Sequence, residues 1–522
     1  MPPRLPSAAL GLFLVFQALY ALTSSGNAFR VPDEFEVYFQ VEHLVDAGDL
    51  SVPQTLALRQ PVVVNGQVVG TESIFFGKIG RDGKPYAPYG PLAALLILPH
   101  HLIARAVAAA AGVPRTSGIP WTFLVGGLTA LSSATAAALA VVGFHRAALA
   151  LGAAPAGALL WAVMLGGATV LWPYGGTLYS EGAQAAALIW AAALLLQARV
   201  DPSRAGRHVA VAAGLLAVAV LTKSTAVIFS VGFFAAAAAD LEQTRASRQK
   251  TTAALLCGVG IAGLVHIVWN LYRFGGPFDF GYDWAETIPK LPARPFSLVD
   301  LPRGLVVLLV SPGKSLLLWA PALVLSLLAA RRFWEAHRAA ALGILVTAGV
   351  GLLTFAAYQF PEGGYAHGPR HLVPIIPLLL LPAAAANIKW PRAALAACAV
   401  VGLTMAVLAT SVSFLEDQGL GGDLRSGPRT AYYDRIDPAP GRPWNRYRLD
   451  YLPFLETLRS AEWRQATTLG QGPDFFPLHL AQLRQGPGAQ VIPIWLVYAW
   501  PIMWLILLIG GVPQLIQGAR AT

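Results

Sequence analysis

The sequence predicts an all-α polytopic membrane protein with about 12 transmembrane helices. Of its 522 residues, 56% are hydrophobic and 12% are charged, whereas soluble proteins average about 25% charged residues. Apolar runs long enough to cross a bilayer, about 20 residues each, recur from one end of the chain to the other.

Hydropathy and the positions of basic residues locate the spans. We expect them at residues 7–24, 119–143, 156–173, 181–198, 208–222, 225–239, 252–271, 314–330, 340–358, 371–387, 393–414 and 491–511. The basic start of the chain and the small residues before Phe29 also fit a cleaved signal peptide. An uncleaved first helix supplies the crossing that brings the following loop outside.

The basic connectors between these spans fall on one side of the membrane, which the positive-inside rule makes cytoplasmic. They are His145–Arg146, Arg199–Arg207, Arg245–Lys250, Arg331–Arg338 and Lys389–Arg392. The polar stretches 25–118, 173–181, 221–224, 272–313 and 359–371 then lie on the extracytoplasmic face. The net charge of +10 therefore reflects orientation, and since no basic run resembles a nucleic-acid footprint, we expect no nucleic-acid partner.

The apolar segment 89–110 is the exception to this pattern. If it crossed the membrane, every later loop would change sides and Arg146 and Arg331 would lie outside. We therefore expect a helix that lies along, or dips into, the outer interface. A true additional span is the alternative.

Acidic residues concentrate in VPDEFEVYFQVEHLVDAGDLSVP, residues 31–53, which holds six of the 27 in the chain. One interpretation is an amphipathic helix on the bilayer surface that turns Glu36 and Glu42 to water. The other is a functional site, because neighbouring carboxylates at a helix exit suit general-base catalysis or cation binding.

The order of residues favours the functional site. Asp33-Glu34, Tyr38, Gly48-Asp49-Leu50 and Val52-Pro53 resemble the pattern D-E-x-x-x-Y followed by G-D-W-x-x-P. That pattern opens the first external loop of GT-C glycosyltransferases, especially lipid A aminoarabinose transferases and protein O-mannosyltransferases. Lys84-Pro85 with Tyr89 is similar to the E-K-P block of the aminoarabinose transferases, with Gly83 replacing the glutamate. GGYAHGPRHLVPIIPL looks like the element G-x-x-x-G-P-R-[YH]-L of bacterial members.

The resemblance implies a GT-C fold with a long first external loop that carries juxtamembrane helices. The chain would divide into a catalytic transmembrane module (1–271, with its loop at 25–118), variable transmembrane helices (272–414), an extracytoplasmic segment (415–490), and a last helix with a cytoplasmic tail (491–522). Such enzymes transfer a sugar from a polyprenyl-phosphate donor to a lipid, glycan or protein acceptor, usually with inversion at the anomeric carbon. The implied location is the bacterial inner membrane, with the active site facing the periplasm or exterior.

Within this resemblance, Asp33 is the predicted general base that takes the proton from the acceptor as it attacks the anomeric carbon. Its negative charge would also stabilise an oxocarbenium-like sugar. Glu34 is the second candidate, or else a neighbour that adjusts the pKa of Asp33.

The leaving polyprenyl phosphate requires fixed positive charge rather than a proton. Arg370 is the first candidate, because its guanidinium suits bidentate phosphate binding. His371, Lys84 and Lys223 are further candidates, and Lys223 interrupts an apolar run where an ionisable residue is costly. Interfacial anchoring to lipid is the alternative role for Arg370 and Lys223.

A further set is predicted to contact the sugar or the acceptor: Glu181, Tyr38, Tyr89, Tyr365 and His367. Glu181 also suits a helix N-terminus, where a carboxylate is stabilised by the helix dipole. No cofactor is certain, although a divalent cation (Mg²⁺ or Mn²⁺) at Asp33, Glu34 and Glu181 stays open by resemblance.

Two alternatives belong to other classes of protein. A transporter or flippase of lipid-linked glycans would concentrate charge at mid-membrane and often has two related halves, whereas the charges here lie in external loops. A glycan polymerase or ligase would share the outer site and would use the arginines of 415–490.

Overall fold

A computed structural model describes residues 5–25, 32–54, 59–64, 67–73, 77–240, 243–281, 296–311, 313–358, 361, 363, 366–411, 475–486 and 491–520. Predictions that concern Tyr365 and residues 415–474 lie outside these residues.

The described chain is predominantly helical. The helices are α1 Leu5–Leu22, α2 Pro32–Ala47, α3 Pro91–Ala110, α4 Ile119–Thr129, α5 Leu131–Ala150, α6 Pro155–Gly167, α7 Leu171–Tyr174, α8 Glu181–Val200, α9 Ala205–Thr222, α10 Ala226–Ala239 and α11 Arg245–Phe274. They continue with α12 Leu301–Leu309, α13 Leu316–Trp319, α14 Leu323–Ala336, α15 Arg338–Ala356, α16 Ile376–Ala385, α17 Arg392–Ser411, α18 Phe476–Gln485 and α19 Ile494–Arg520. A 3-10 segment, Arg370–Ile375, leads directly into α16.

The predicted polytopic, all-α class is confirmed. In the described part of the chain, eight helical stretches are long and apolar enough to cross a membrane, and four shorter apolar helices accompany them. Each of the twelve predicted spans overlaps one of these twelve stretches or α14. The span predicted at 314–330 is displaced, because the chain forms only the short α13 before Pro321 and the long helix begins at Leu323. Proline has no amide hydrogen and disfavours helix in the residue before it, so it separates the two helices.

Two small β-hairpins in the first loop were not predicted. The strands β1 Arg59–Val64 and β2 Gln67–Ser73 pair antiparallel, with an irregularity between Val62 and Val63. The two-residue strands β3 Lys78–Ile79 and β4 Pro85–Tyr86 form the second hairpin. Both extend the loop between α2 and α3 and leave the class of the fold unchanged.

The helix α2 is not a solvated surface helix. Glu36 is fully buried and Glu42 is 7% exposed. Glu42 accepts a hydrogen bond from the Trp121 indole at 3.3 Å. The interpretation that turned these carboxylates to water is therefore wrong, because α3 and α4 cover the helix.

Helix direction separates the two ends of the bundle. Glu181 begins α8, and Arg199 lies near its other end, where it pairs with Asp240 at 3.4 Å. Twenty residues of helix are about 30 Å long, the thickness of the hydrocarbon core. The end that carries Glu181 is called the site end below, and the predicted basic connectors lie at the opposite end.

The helix α3 packs at the site end. A Cβ at Gly90 would collide with the carbonyl of Leu221, at the end of α9. Further along α3, His101 lies 3.3 Å from Thr129, and the Arg105 guanidinium lies over the Trp121 ring of α4. α3 therefore packs along α4 rather than along the length of α5. The length and composition of α3 also suffice for a span, and its position at the outer interface stays a prediction.

The ends of the chain meet in one helix pair. α1 packs along α19, and a Cβ at Gly511 would lie 2.9 Å from Val15. Small residues allow such close approach between membrane helices. At the site end, the Phe476 amide of α18 donates to the Ser24 carbonyl at 2.8 Å. The end of the predicted 415–490 segment is therefore anchored beside the start of the loop predicted at 25–118.

The orientation can be tested by cysteine labelling in a background with Cys257→Ser and Cys398→Ser. We expect a membrane-impermeant maleimide to label Asp82→Cys and Thr116→Cys in intact cells, and to label Ser203→Cys only after permeabilisation. All three native side chains are exposed. If α3 crosses the membrane, Asp82→Cys and Thr116→Cys will be labelled from opposite sides, which would contradict the interfacial position.

Candidate functional site

Four charged side chains from distant parts of the sequence meet at the site end. Asp33 lies in the first turn of α2, and Glu181 is the first residue of α8. Lys223 directly follows α9, and Arg370 opens the 3-10 segment before α16. All four had been predicted as site residues, and the structure brings them into one group.

The four side chains form a continuous chain of alternating charge. Lys223 Nζ donates to Glu181 Oε1 at 2.8 Å, and Arg370 Nε donates to the same oxygen at 2.9 Å. Arg370 Nη2 then donates to Asp33 Oδ1 at 2.6 Å. Two cations and two carboxylates balance each other, so we call Lys223, Glu181, Arg370 and Asp33 the charge network.

Burial differs sharply along the charge network. The side chain of Glu181 is 1% exposed, those of Arg370 and Lys223 are 7% and 9% exposed, and that of Asp33 is 32% exposed. Buried charges persist only where partners compensate for the lost hydration. Asp33 is therefore the end of the network that solvent, or a substrate, reaches first.

The polypeptide around Arg370 holds its guanidinium in place. The Tyr179 ring lies under the guanidinium, 3.9 Å from its centroid to the cation. Gly363 has φ +81°, and a Cβ there would lie 2.5 Å from that of Arg370. Gly368, at φ +60°, packs against the Trp319 ring. The two glycines allow left-handed backbone and close packing that other residues rarely adopt.

The electrostatics of Asp33 follow from its neighbours. Its burial alone would raise the pKa, but the charge and hydrogen bond of Arg370 outweigh burial, with additional help from Lys223 and the Tyr89 hydroxyl. The pKa of Asp33 is lowered to about 2. Asp33 is therefore a carboxylate at neutral pH, and in this paired state it is a weak base.

Glu34, the second candidate for the general base, faces the interior. It is fully buried, and its Oε1 accepts from the Leu178 amide at 3.2 Å. The Arg370 guanidinium lies between Asp33 and Glu181, and each carboxylate binds it. The three carboxylates therefore do not form a ligand set for a divalent cation in the described residues, and we derive no step through a metal.

The two carboxylate oxygens of Glu181 differ in their hydrogen bonds. Oε1 accepts from both cations, while the buried Oε2 has no hydrogen-bond partner in the described part of the chain. A carboxylate oxygen only accepts hydrogen bonds, so Oε2 is an acceptor that could receive a hydroxyl hydrogen.

Three more of the predicted side chains surround the charge network. Tyr89 is buried and hydrogen-bonds to Asp33. His371 follows Arg370 and stacks on Phe355 at 4.6 Å. His367 is buried against Trp319, and its carbonyl accepts from the Tyr174 hydroxyl at 3.0 Å.

Two predicted site residues lie elsewhere. Tyr38, on α2, is fully buried against α3, where its ring packs edge-on against the His101 ring with 5.5 Å between the ring centroids. Lys84 pairs with Asp49 at 2.7 Å, with 49% of its side chain exposed. Tyr38 lies opposite the site on α2 because it projects into the hydrophobic core, and Lys84 binds the carboxylate of its own loop.

Two residues that contact Arg370 or the turn before it were not predicted from the sequence. Tyr179, which supports Arg370, lies two residues before Glu181 in a turn that had already been singled out. Lys314 is 5% exposed and its ammonium donates to the Ala366 carbonyl, in the turn before Arg370. A lysine between two apolar segments is the signal that marked Lys223, and it marks Lys314 as well.

No family model and no curated protein matches the chain. Among solved structures, the oligosaccharyltransferase AglB of the archaeon Archaeoglobus fulgidus, in complex with an inhibitory peptide and a dolichol-phosphate, is similar with a TM-score of 0.46 at 12% identity. That alignment covers 87% of this chain and 59% of the archaeal one. A structure of an Archaeoglobus fulgidus oligosaccharyltransferase tethered to an acceptor peptide gives a TM-score of 0.44 at 13% identity, and the alignment covers 82% of this chain and 56% of the archaeal one.

The chain spans less than two thirds of the length of these oligosaccharyltransferases.

The charge network makes a prediction about stability. Glu181→Gln leaves Lys223 and Arg370 buried with less negative charge, and the loss of one partner of a buried ion pair typically costs about 3–5 kcal/mol. We expect a clearly lower thermal unfolding temperature in detergent. The matched control is Glu335→Gln, which breaks the exposed pair with Arg331 at 3.0 Å and should change stability little. Equal effects of the two substitutions would contradict a buried network.

Proposed function

We propose that this chain is a membrane glycosyltransferase of the GT-C type. It transfers a sugar from a polyprenyl-phosphate donor to a lipid, glycan or protein acceptor, with inversion, at the extracytoplasmic face of the bacterial inner membrane. The observation that supports it most strongly is the charge network. Arg370 and Lys223 are cations buried at the ends of membrane helices. Asp33 is the most exposed member of the charge network that they form with Glu181.

The position of the charge network suits a donor that is anchored in lipid. Glu181 and Lys223 lie at the ends of α8 and α9, so they are close to the level at which a polyprenyl phosphate would hold its phosphate group. Arg370 and Lys223 carry the fixed positive charge that a phosphate leaving group requires. His371 lies beside them and is the third candidate for phosphate contact.

Asp33 is the proposed general base. The acceptor hydroxyl gives its proton to the Asp33 carboxylate while its oxygen forms a bond to the anomeric carbon. The bond from that carbon to the phosphate oxygen breaks, and the electron pair leaves with the polyprenyl phosphate. Arg370 and Lys223 stabilise the charge that develops on the leaving oxygen, which is the usual role of preorganised cations in a transition state.

The sugar would lie between Asp33 and the surrounding polar groups. Tyr89 is next to Asp33, and Glu181 Oε2, which has no hydrogen-bond partner among the described residues, is proposed to accept a hydroxyl hydrogen. Tyr365 and His367 stay candidates for sugar contact from the turn before Arg370.

The test is transfer from radiolabelled polyprenyl-phosphate sugars into membrane extracts. Asp33→Asn keeps the size of the side chain but cannot accept the proton, so we expect a loss of about 100-fold or more in rate. The matched control is Asp49→Asn, which also removes an ion-paired carboxylate from the first external loop and should leave transfer close to that of the wild type.

The outcomes separate the hypotheses. If the wild-type protein transfers sugar from no donor, the glycosyltransferase hypothesis is contradicted and the transporter hypothesis is favoured. If Asp33→Asn transfers sugar at the wild-type rate, the glycosyltransferase proposal stands but Asp33 is not the general base. Glu34→Gln is then the next variant to measure. Equal losses in Asp33→Asn and Asp49→Asn would point to a structural effect on the loop.

A further inference from the structure

The Nε and Nη2 edge of the Arg370 guanidinium is already occupied in this arrangement. Its Nε binds Glu181 at 2.9 Å, its Nη2 binds Asp33 at 2.6 Å, and Tyr179 covers one face of the guanidinium. The side chain is only 7% exposed. A phosphate that is to bind this guanidinium through its Nε and Nη2 edge must therefore displace a carboxylate.

The two carboxylates are not equally replaceable. Glu181 is 1% exposed and also binds Lys223 at 2.8 Å, so its removal would leave two buried cations poorly compensated. Asp33 is bound through one hydrogen bond to Arg370 and is 32% exposed, so water can hydrate its carboxylate as it leaves. Asp33 is the partner that an anion displaces.

We propose that the donor phosphate takes the place of Asp33 on Arg370, and that this exchange converts Asp33 from an ion-pair partner into the general base. This inference rests on the proposed function and adds an order of events to it. Glu181 acts as a positioning residue, because it holds Arg370 and Lys223 in place while Asp33 moves.

The charges that face Asp33 explain why the exchange would strengthen the base. Arg370 and Lys223 are the cations that act on it, and the Tyr89 hydroxyl hydrogen-bonds to it. Together they hold the pKa of Asp33 at about 2, whereas an effective general base has a pKa nearer the working pH. A phosphate on Arg370 offsets the charge of that cation and takes its hydrogen bond away from Asp33, and both changes raise the pKa of Asp33.

The exchange also balances charge through the reaction. The charge network is neutral before the donor, a phosphodiester with one negative charge, enters. When Asp33 takes the acceptor proton it becomes neutral, and the released polyprenyl phosphate carries the second negative charge instead. The total charge around Arg370 and Lys223 is therefore the same before and after the bonds change.

The test is the affinity of the purified protein for farnesyl phosphate, measured by thermophoresis in detergent. Asp33→Asn removes the competitor and one negative charge, so it should bind farnesyl phosphate about tenfold more tightly, although it loses transfer activity. Farnesol, which has the chain without the phosphate, should bind the two proteins equally. Asp33→Ser is a second neutral variant for the case that Asp33→Asn does not fold.

Controls distinguish exchange from general electrostatics. Asp49→Asn removes a charge from the same loop and should leave the affinity unchanged, and Asp33→Glu keeps the competing carboxylate and should show no tightening. Tighter binding by Asp49→Asn to the same degree, or an unchanged or weaker affinity in Asp33→Asn, would overturn the exchange. The proposed function would survive that result if the wild type transfers sugar. Conversely, tighter binding by Asp33→Asn together with no transfer by the wild type would support exchange at an anion site and reject the glycosyltransferase.

Discussion

A buried guanidinium requires carboxylate partners that compensate for its lost hydration. Several helices at the site end pack around the guanidinium of Arg370 and supply these partners. Arg370 is 7% exposed, and its two carboxylate partners come from α2 and α8. Glu181 in turn binds Lys223 at the end of α9. Three membrane helices and the first external loop therefore meet at one charge-balanced cluster. Loss of Glu181 would disturb all of these elements, whereas Asp33 can leave the cluster at less cost because water reaches it.

The same arrangement relates stability to chemistry. A buried ion network contributes little net stability when it is complete, yet it is costly to break. Such a network is therefore better explained by a function that needs its charges than by folding alone. In the proposed reaction, Glu181 and Lys223 keep Arg370 in position while the exposed carboxylate changes partners. The fully buried Glu34, hydrogen-bonded to Leu178, fixes the first turn of α2 from the other side.

Hydropathy predicted most of the fold because a bilayer imposes length and composition on each span. It failed at 314–330, where Pro321 separates two helices, and it did not indicate the hairpins of the first loop. The site was predicted less completely. Asp33 and Arg370 were each singled out, but their contact joins residues 337 positions apart, and no local pattern specifies such a pairing. Tyr38 and Lys84 were predicted from the same motifs and lie elsewhere, because a motif gives the order of residues and not the direction in which a side chain points. Tyr179 and Lys314 were not predicted, although Tyr179 lies in a turn that was singled out and Lys314, like Lys223, lies between two apolar segments.

The most direct measurement is a cryo-electron microscopy structure of the protein with farnesyl phosphate bound. We expect a phosphate group within hydrogen-bonding distance of the Arg370 guanidinium, with Glu181 still bound to Arg370 and Lys223 and with the Asp33 carboxylate no longer in contact with Arg370. A phosphate bound away from Arg370, with the contact between Asp33 and Arg370 intact, would show that the donor does not displace Asp33.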